Sequence, residues 1–463
     1  MQTSITAVSL ALLLTPIFAC VDEPLTFADE ELGEADDPTE QPAVNDELRG
    51  ISLTVNGATK PAVIERASVV VLAVDLDPAQ IDRVEFCVDG EPLVASPGQP
   101  FEARWIASDD SLNGPHEFTV TALRDGHELA ADSMIVELDL PRPGTRMLTI
   151  VGGEWSQIAA TATGVAMLSE DHVAQRDERG LERWRSPLPF AATVMRYEPG
   201  RDELLIAGVV DGVLTLGGLR AEGELGWETI VEGLALDGVV LERLRSEGSQ
   251  LVLTGRRLHA GVVRGWAAQL ELDGDEVRSI WAREFGEDQG STVMGVPAID
   301  GLGHVYLPVT TLSVGPDQPW IRATFGAYAS GEPVWTVVEE GAHSPVFTAA
   351  GLGPAGAVHL AAYDDGGGQV AVFDGAGHWL DAHADLGEAV TVLEGTARGM
   401  VWAGTGDGDA LAGRMPGEAS GEWQSSVWGY GEQGSRDLAV GALGYVYVLS
   451  DAPNNAVIHM LHP

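Results

Sequence analysis

From Gly50 onward, apolar and polar residues alternate in short runs separated by Gly, Asp and Asn, which is the period of strands and not of helices. Ile51-Ser-Leu-Thr-Val55 alternates. Ser68-Val-Val-Val-Leu-Ala-Val74 is a continuous apolar run, expected of a central strand buried on both faces. Arg83 to Asp89 alternates and ends at Asp89-Gly90, a hairpin signal. Phe101 to Ile106 follows, then a turn at Asn113-Gly114, the strand His116 to Ala122, a second hairpin at Asp125-Gly126, and Glu128 to Leu138. Within Val84 to Asp89 the alternation puts Val84, Phe86 and Val88 on one face and Cys87 on the other, with Glu85 and Asp89. About seven strands in this span predict a β-sandwich over 50–141.

Beyond Pro141-Arg-Pro143-Gly144 the pattern repeats. Trp184, Trp227, Trp281, Trp335, Trp379 and Trp423 recur at intervals of 43, 54, 54, 44 and 44 residues. Most follow a short glycine-containing segment, as in Gly180-Leu-Glu-Arg-Trp184 and Gly331-Glu-Pro-Val-Trp335. Seven short apolar strands accompany them: Val165 to Ser169, Leu204 to Gly208, Leu251 to Gly255, Val305 to Val309, Val358 to Ala362, Met400 to Gly404 and Tyr445 to Ser450. A unit of roughly 45 residues with several short strands is the size of one propeller blade. The last unit ends after its third strand, Ala456 to His462, while a spare strand, Arg146 to Val151, precedes the first unit. That strand, within 146–155, is expected to complete the seventh blade over 145–463. Gly153-Glu154-Trp155 repeats the local sequence Gly421-Glu422-Trp423.

These residues carry two resemblances. Val84 to Gly90, Phe101 to Trp105, and Asn113-Gly114-Pro115-His116 running to Ala122 resemble bacterial immunoglobulin-like modules, which implies a spacer or adhesive unit. The Gly-x-x-x-Trp feature resembles propeller repeats of the pyrroloquinoline-quinone-like kind and those of bacterial outer-surface lipoproteins. The acids, arginine and calcium site of a quinone pocket do not map onto this chain, so no cofactor is expected.

The N-terminal part has another character. An apolar stretch from Ile5 to Ala19 is short for a membrane span and reads as a signal peptide, 1–20. Its end, Ile17-Phe18-Ala19-Cys20, resembles the bacterial lipobox, which implies lipidation of Cys20; Phe18 is bulkier than that family prefers, and the start lacks Lys and Arg. Ordinary cleavage near Ala19, with a soluble product, is the competing reading, and a Cys20–Cys87 disulfide is the alternative use of the two cysteines. Residues 21–49 carry eleven acidic residues between Val21 and Leu48 and no base there, a composition that predicts a disordered, extended tether. The expected fold class is therefore all-β: an immunoglobulin-like sandwich and a seven-bladed β-propeller behind an acidic tether.

Charge narrows the partners. A net charge of −44 repels phosphate backbones and anionic lipid surfaces, which excludes nucleic acid and leaves a lipid anchor as the only expected membrane contact. Lys60 is the only lysine, so no lysine chemistry is available in the repeats. No Gly-x-Ser-x-Gly, His-Glu-x-x-His or phosphate-loop motif occurs. His343, His359, His378 and His383 cluster in sequence without a metal-ligand spacing. Asp273-Gly274-Asp275, Asp407-Gly408-Asp409 and Asp364-Asp365-Gly366-Gly367-Gly368 read as turns and not as calcium loops. No catalytic, cofactor or metal residues are assigned. The sequence therefore points to an envelope, outer-membrane or cell-surface platform that binds a protein or carbohydrate ligand, and to a secreted one if Cys20 is not lipidated. A propeller lyase, glycosidase or oxidoreductase with its site in the axial funnel, and an envelope-assembly scaffold, stand as alternatives.

Overall fold

The computed structural model describes residues 51–463 except 61–62, 78, 80, 97–100, 109–111, 235, 260, 287–289, 315–318, 354–355, 385, 397, 407–408, 416–422, 428–433 and 453–454. Every extended element in them is a strand, and the chain divides into two units at Leu140–Pro141. No helix among the described residues is long and apolar enough to cross a membrane. The segments expected to be a signal peptide and an acidic tether, with Cys20, lie outside the described residues.

The first unit is a two-sheet sandwich. One sheet runs Thr54–Val55, Ser68–Val74, Phe101–Ala107; the other runs Val63–Ile64, His127–Leu138, Gly114–Arg124, Arg83–Val88, Glu91–Leu93. Leu53, Leu72, Phe86, Phe118 and Val136 fill the space between them. The hairpins at Asp89-Gly90 and Asp125-Gly126 have both turn residues at positive φ (51° and 81°, 51° and 77°), the geometry that matches strand twist. Ser68–Val74 departs from expectation. It is the central strand of its sheet, but only Val70, Leu72 and Val74 are buried; the other residues are half-buried or exposed. A three-stranded sheet packed on one side covers only one face of its middle strand. Cys87 is half-buried opposite the core face, beside Glu85. Asn113 is a clamp as well as a turn residue: its amide accepts from Leu140 N at 2.7 Å and donates to Leu140 O at 2.9 Å.

The second unit is a propeller of seven sheets among the described residues, spanning 157–187, 194–231, 239–285, 291–341, 346–383, 389–427 and 435–461. Each blade's first strand contacts the next blade, and the last first-strand, Ser435–Val440, contacts the first one, Gln157–Thr161, so the ring closes. Six of the seven predicted apolar strands fall in the second strand of the first six blades, buried on both faces; the seventh is the second strand of the last blade, Val446–Ala452. The last blade takes its fourth strand from Arg146–Val151, antiparallel to Asn455–Leu461. Trp155 is not the counterpart of Trp423. It lies past that strand, buried, with its Nε1 donating to Gly152 O at 2.6 Å, whereas Trp423 opens the fourth strand of the sixth blade. The wider tryptophan spacings come from longer strands in the third and fourth blades, such as Val262–Asp273 and Pro319–Ala329.

One five-residue turn recurs at 177–181, 220–224, 300–304, 374–378 and 441–445. In each, the first N–H donates to the fifth carbonyl and a glycine N–H in fourth place donates back to the first carbonyl. Where the first residue is aspartate, its Oδ1 also accepts two backbone N–H groups, as Asp177 does from Arg179 and Leu181.

Candidate binding site at the axial mouth

The first strands of the blades line the axis and run in a common sense, so their C-terminal ends gather at one face. Three of them present charge there. Arg196 lies on Val194–Glu198 of the second blade, Arg245 on Val239–Glu247 of the third, and Glu394 on Ala389–Thr396 of the sixth. Glu394 reaches both arginines: Oε1 accepts from Arg196 at 2.7 Å, and Oε2 accepts from Arg245 at 2.5 Å and again from Arg196 at 3.3 Å. Arg245 also donates to Leu393 O at 3.3 Å. The cluster thus ties the second and third blades to the sixth. Burial works against ionisation of Glu394, but the two guanidiniums outweigh it and hold its pKa at about 2. Arg245, buried beside a second guanidinium, titrates below the usual arginine range, while for Arg196 the pull of Glu394 outweighs burial. Both remain cations at any ordinary pH.

Arg196 and Glu394 line two cavities at this face. The larger, of about 570 Å³, is walled by small residues at the strand ends, including Ala160, Ala162 and Gly441, together with Tyr197, Glu198 and Ser246. The smaller, of about 130 Å³, extends towards Pro297 and Gly351. Toward the strands' N-terminal ends, side chains staple the inner strands together. Gln157 donates to Glu242 O at 2.7 Å and accepts from Met195 N at 2.8 Å, and Asp437 accepts from Ile158 N at 3.0 Å. The wall around the cluster is thereby fixed across four blades.

A second cleft, of about 320 Å³, opens between the first and second blades and shares Thr161, Ala162 and Tyr197 with the large cavity. The Tyr197 hydroxyl donates to Asp202 at 2.7 Å; burial first, and then that carboxylate, push its pKa up to about 12, so it stays a neutral donor.

The residues singled out in the sequence lie elsewhere. His343 pairs with Asp365 at 3.1 Å and His378 with Asp374 at 2.9 Å, all outside the axial cavities. The fold does bring His359 and His383 near each other: burial, then the His383 charge, lowers the His359 pKa to about 4. No group of three potential metal ligands occurs among the described residues. Asp273-Gly274-Asp275 is a hairpin turn that also latches blades, because Arg201 donates to Gly274 O at 2.7 Å and to Asp275 at 3.0 Å. In the 364–368 turn, Asp364 accepts from Gly366 N at 2.7 Å. Asp407-Gly408 lies outside the described residues. Sequence reasoning missed Arg196, Arg245 and Glu394, which lie 149 and 198 residues apart along the chain. No local pattern marks them, since the first strands that carry Arg196 and Arg245 hold other charged residues, such as Glu198, Glu242 and Arg243.

No protein-family model matches this chain, and no curated protein matches it. Among solved structures, the WD40 β-propeller domain of Doa1 is 12% identical, with a TM-score of 0.45 over 68% of this chain and 96% of that one. An auxiliary nutrient binding protein from Bacteroides thetaiotaomicron is 10% identical, with a TM-score of 0.36 over 90% of this chain and 99% of that one. Fibronectin(III)-like modules of Clostridium thermocellum CbhA are 28% identical, with a TM-score of 0.17 over 20% of this chain and 99% of theirs.

Proposed function

We propose that this chain is an exported binding protein, lipid-anchored through Cys20 and held from the membrane by its acidic tether and an immunoglobulin-like spacer, with its ligand site at the axial mouth of the propeller. The observation that carries this reading is the 570 Å³ cavity bordered by Arg196 and Glu394, a size within the range of roughly 300–1,000 Å³ usual for ligand sites. Its chemistry favours binding over catalysis. Glu394 makes three charge-assisted contacts with the two arginines, and with a pKa of about 2 it has no proton to give at neutral pH. A ligand would meet a fixed pattern of donors and acceptors on rigid strands.

The test is a melting-temperature screen of the mature protein against metabolite and glycan panels, run beside Ser246→Trp, which places an indole in the mouth. A compound that raises the melting temperature of the natural chain but not of the variant supports the site. If no compound stabilises either, the reading falls.

A further inference from the structure

The repeats allow one blade to be read against another, and the first blade is incomplete. In the third blade, Gln269 is the cross-strand partner of Trp281. Its amide is fully used: Oε1 accepts from Trp281 Nε1 at 2.6 Å, and Nε2 donates to Gln250 Oε1 at 2.9 Å and Gly303 O at 3.0 Å. In the first blade the same pair is Gln175 and Trp184. There the indole has turned away, and Trp184 Nε1 donates to Ala221 O of the next blade at 2.6 Å. Gln175 Nε2 donates to Thr161 Oγ1 at 2.6 Å and Thr163 Oγ1 at 3.0 Å, but Oε1 accepts nothing among the described residues. Turning the amide over exchanges its ends and still leaves one unmatched. Gln175 is only 3% exposed, and an unmatched amide at that depth is destabilising unless something else satisfies it. It lines the 320 Å³ cleft between the first two blades.

The rest of the lining indicates the chemistry. Arg183 and Arg220 are balanced by Asp202 and Glu222, so the cleft selects for no net charge. Donors and acceptors are interleaved, which suits hydroxyl groups, since each can both give and take a hydrogen bond. Trp184 and Tyr197 add aromatic surface for an apolar C–H face. We infer that the cleft between the first and second blades is a subsite for one ring of an uncharged saccharide, with the Gln175 amide hydrogen-bonded to a ring hydroxyl. Because the cleft shares Thr161, Ala162 and Tyr197 with the axial cavity, this inference rests on the binding reading and supplies its ligand class.

The test is titration calorimetry of the mature protein with a panel of neutral oligosaccharides, glucose-, galactose-, mannose- and N-acetylglucosamine-based, alongside an equal panel of anionic and peptide ligands. Two variants accompany it. Gln175→Met keeps the volume and removes the amide, and Arg183→Ala removes an exposed side chain outside the core. The expected result is saturable binding of at least one neutral saccharide, weakened about tenfold or more in each variant with unchanged melting temperature. Binding confined to anionic or peptide ligands would overturn the saccharide class while leaving the axial site standing. Saccharide binding that neither variant alters would place the sugar elsewhere and overturn the subsite. No binding at all would remove both readings.

Discussion

The indole of Trp184 lies directly over the α-carbon of Gly223 in the next blade: a Cβ at Gly223 would fall 2.5 Å from Cε3 of the ring. The same turn supplies Ala221 O, the acceptor of the indole N–H at 2.6 Å. Gly377 bears the same relation to Trp335, whose N–H donates to Gly375 O at 3.1 Å. The glycine of each such pair therefore seats the tryptophan of the preceding blade, and not the tryptophan that follows it in sequence. Gly223→Ala should be destabilising for two reasons, contact with the ring and a backbone φ of +81°. About 3 kcal/mol is the expected loss, read as a lowered denaturation midpoint with an unchanged slope. Gly248→Ala is the control for φ alone, since that residue has φ +58° and no atom within 4 Å of its Cβ position.

Breaking the axial cluster should cost more than removing it. Glu394→Gln leaves Arg196 and Arg245 facing each other without the carboxylate they share, and the expected loss is about 3 kcal/mol. Replacing all three residues by apolar side chains, with Arg196→Met, Arg245→Met and Glu394→Leu together, should recover most of that loss. Chemical denaturation of the two variants checks the order; a triple variant less stable than Glu394→Gln would contradict it. The sign of the pH effect follows from the depressed pKa. The Glu394 contribution is complete above about pH 4.5 and disappears as the pH falls through about 2.

How far the sequence carried the fold depended on whether the signal was local. Alternation around Phe86 and Phe118, the two Asp-Gly hairpins and the apolar second strands are all set by neighbours a few residues away, and the structure reproduces them. Ser68–Val74 misled because an all-apolar run does not say which faces are covered. The shared tripeptide of Trp155 and Trp423 did not fix the register of Trp155; the position in the blade goes to Leu148, whose side chain meets the Cβ position of Gly180 as Trp184 meets that of Gly223. The site was not legible. Arg196, Arg245 and Glu394 come together only through ring closure, and the unmatched end of Gln175 shows only where Trp184 can be seen bonding elsewhere.

Membrane attachment depends on one thiol in the proposed arrangement. Cys20→Ser should move the protein from the membrane to the soluble fraction of its own cells without altering its melting temperature, since Cys20 precedes the first strand, Thr54–Val55, in sequence. Fractionation and detergent partitioning read the outcome. A variant that stays with the membrane would set lipid anchoring aside.

Ring closure should be acid-sensitive at His459. This residue is buried on Asn455–Leu461, opposite Thr149 of the strand that completes the seventh blade. Burial, and then the nearby Arg146 charge, lower its pKa to about 4, so it is folded in as the neutral form. A histidine with a folded pKa below its unfolded value gives its full contribution above about pH 6.5 and loses it progressively down to about 4, because the unfolded chain takes up the proton first. The expected loss across that window is about 3 kcal/mol. His359, also lowered to about 4, adds a second loss of the same sign in the fifth blade. His459→Leu removes the protonation while keeping an apolar side chain in place, so its melting temperature should fall less between pH 7.5 and pH 5 than that of the natural chain. Hydrogen exchange at pH 5 should place the first opening at the 146–151 and 455–461 pair, the one blade whose strands are not contiguous in sequence. Equal pH dependence of the two proteins would show that the seam is not where acid acts.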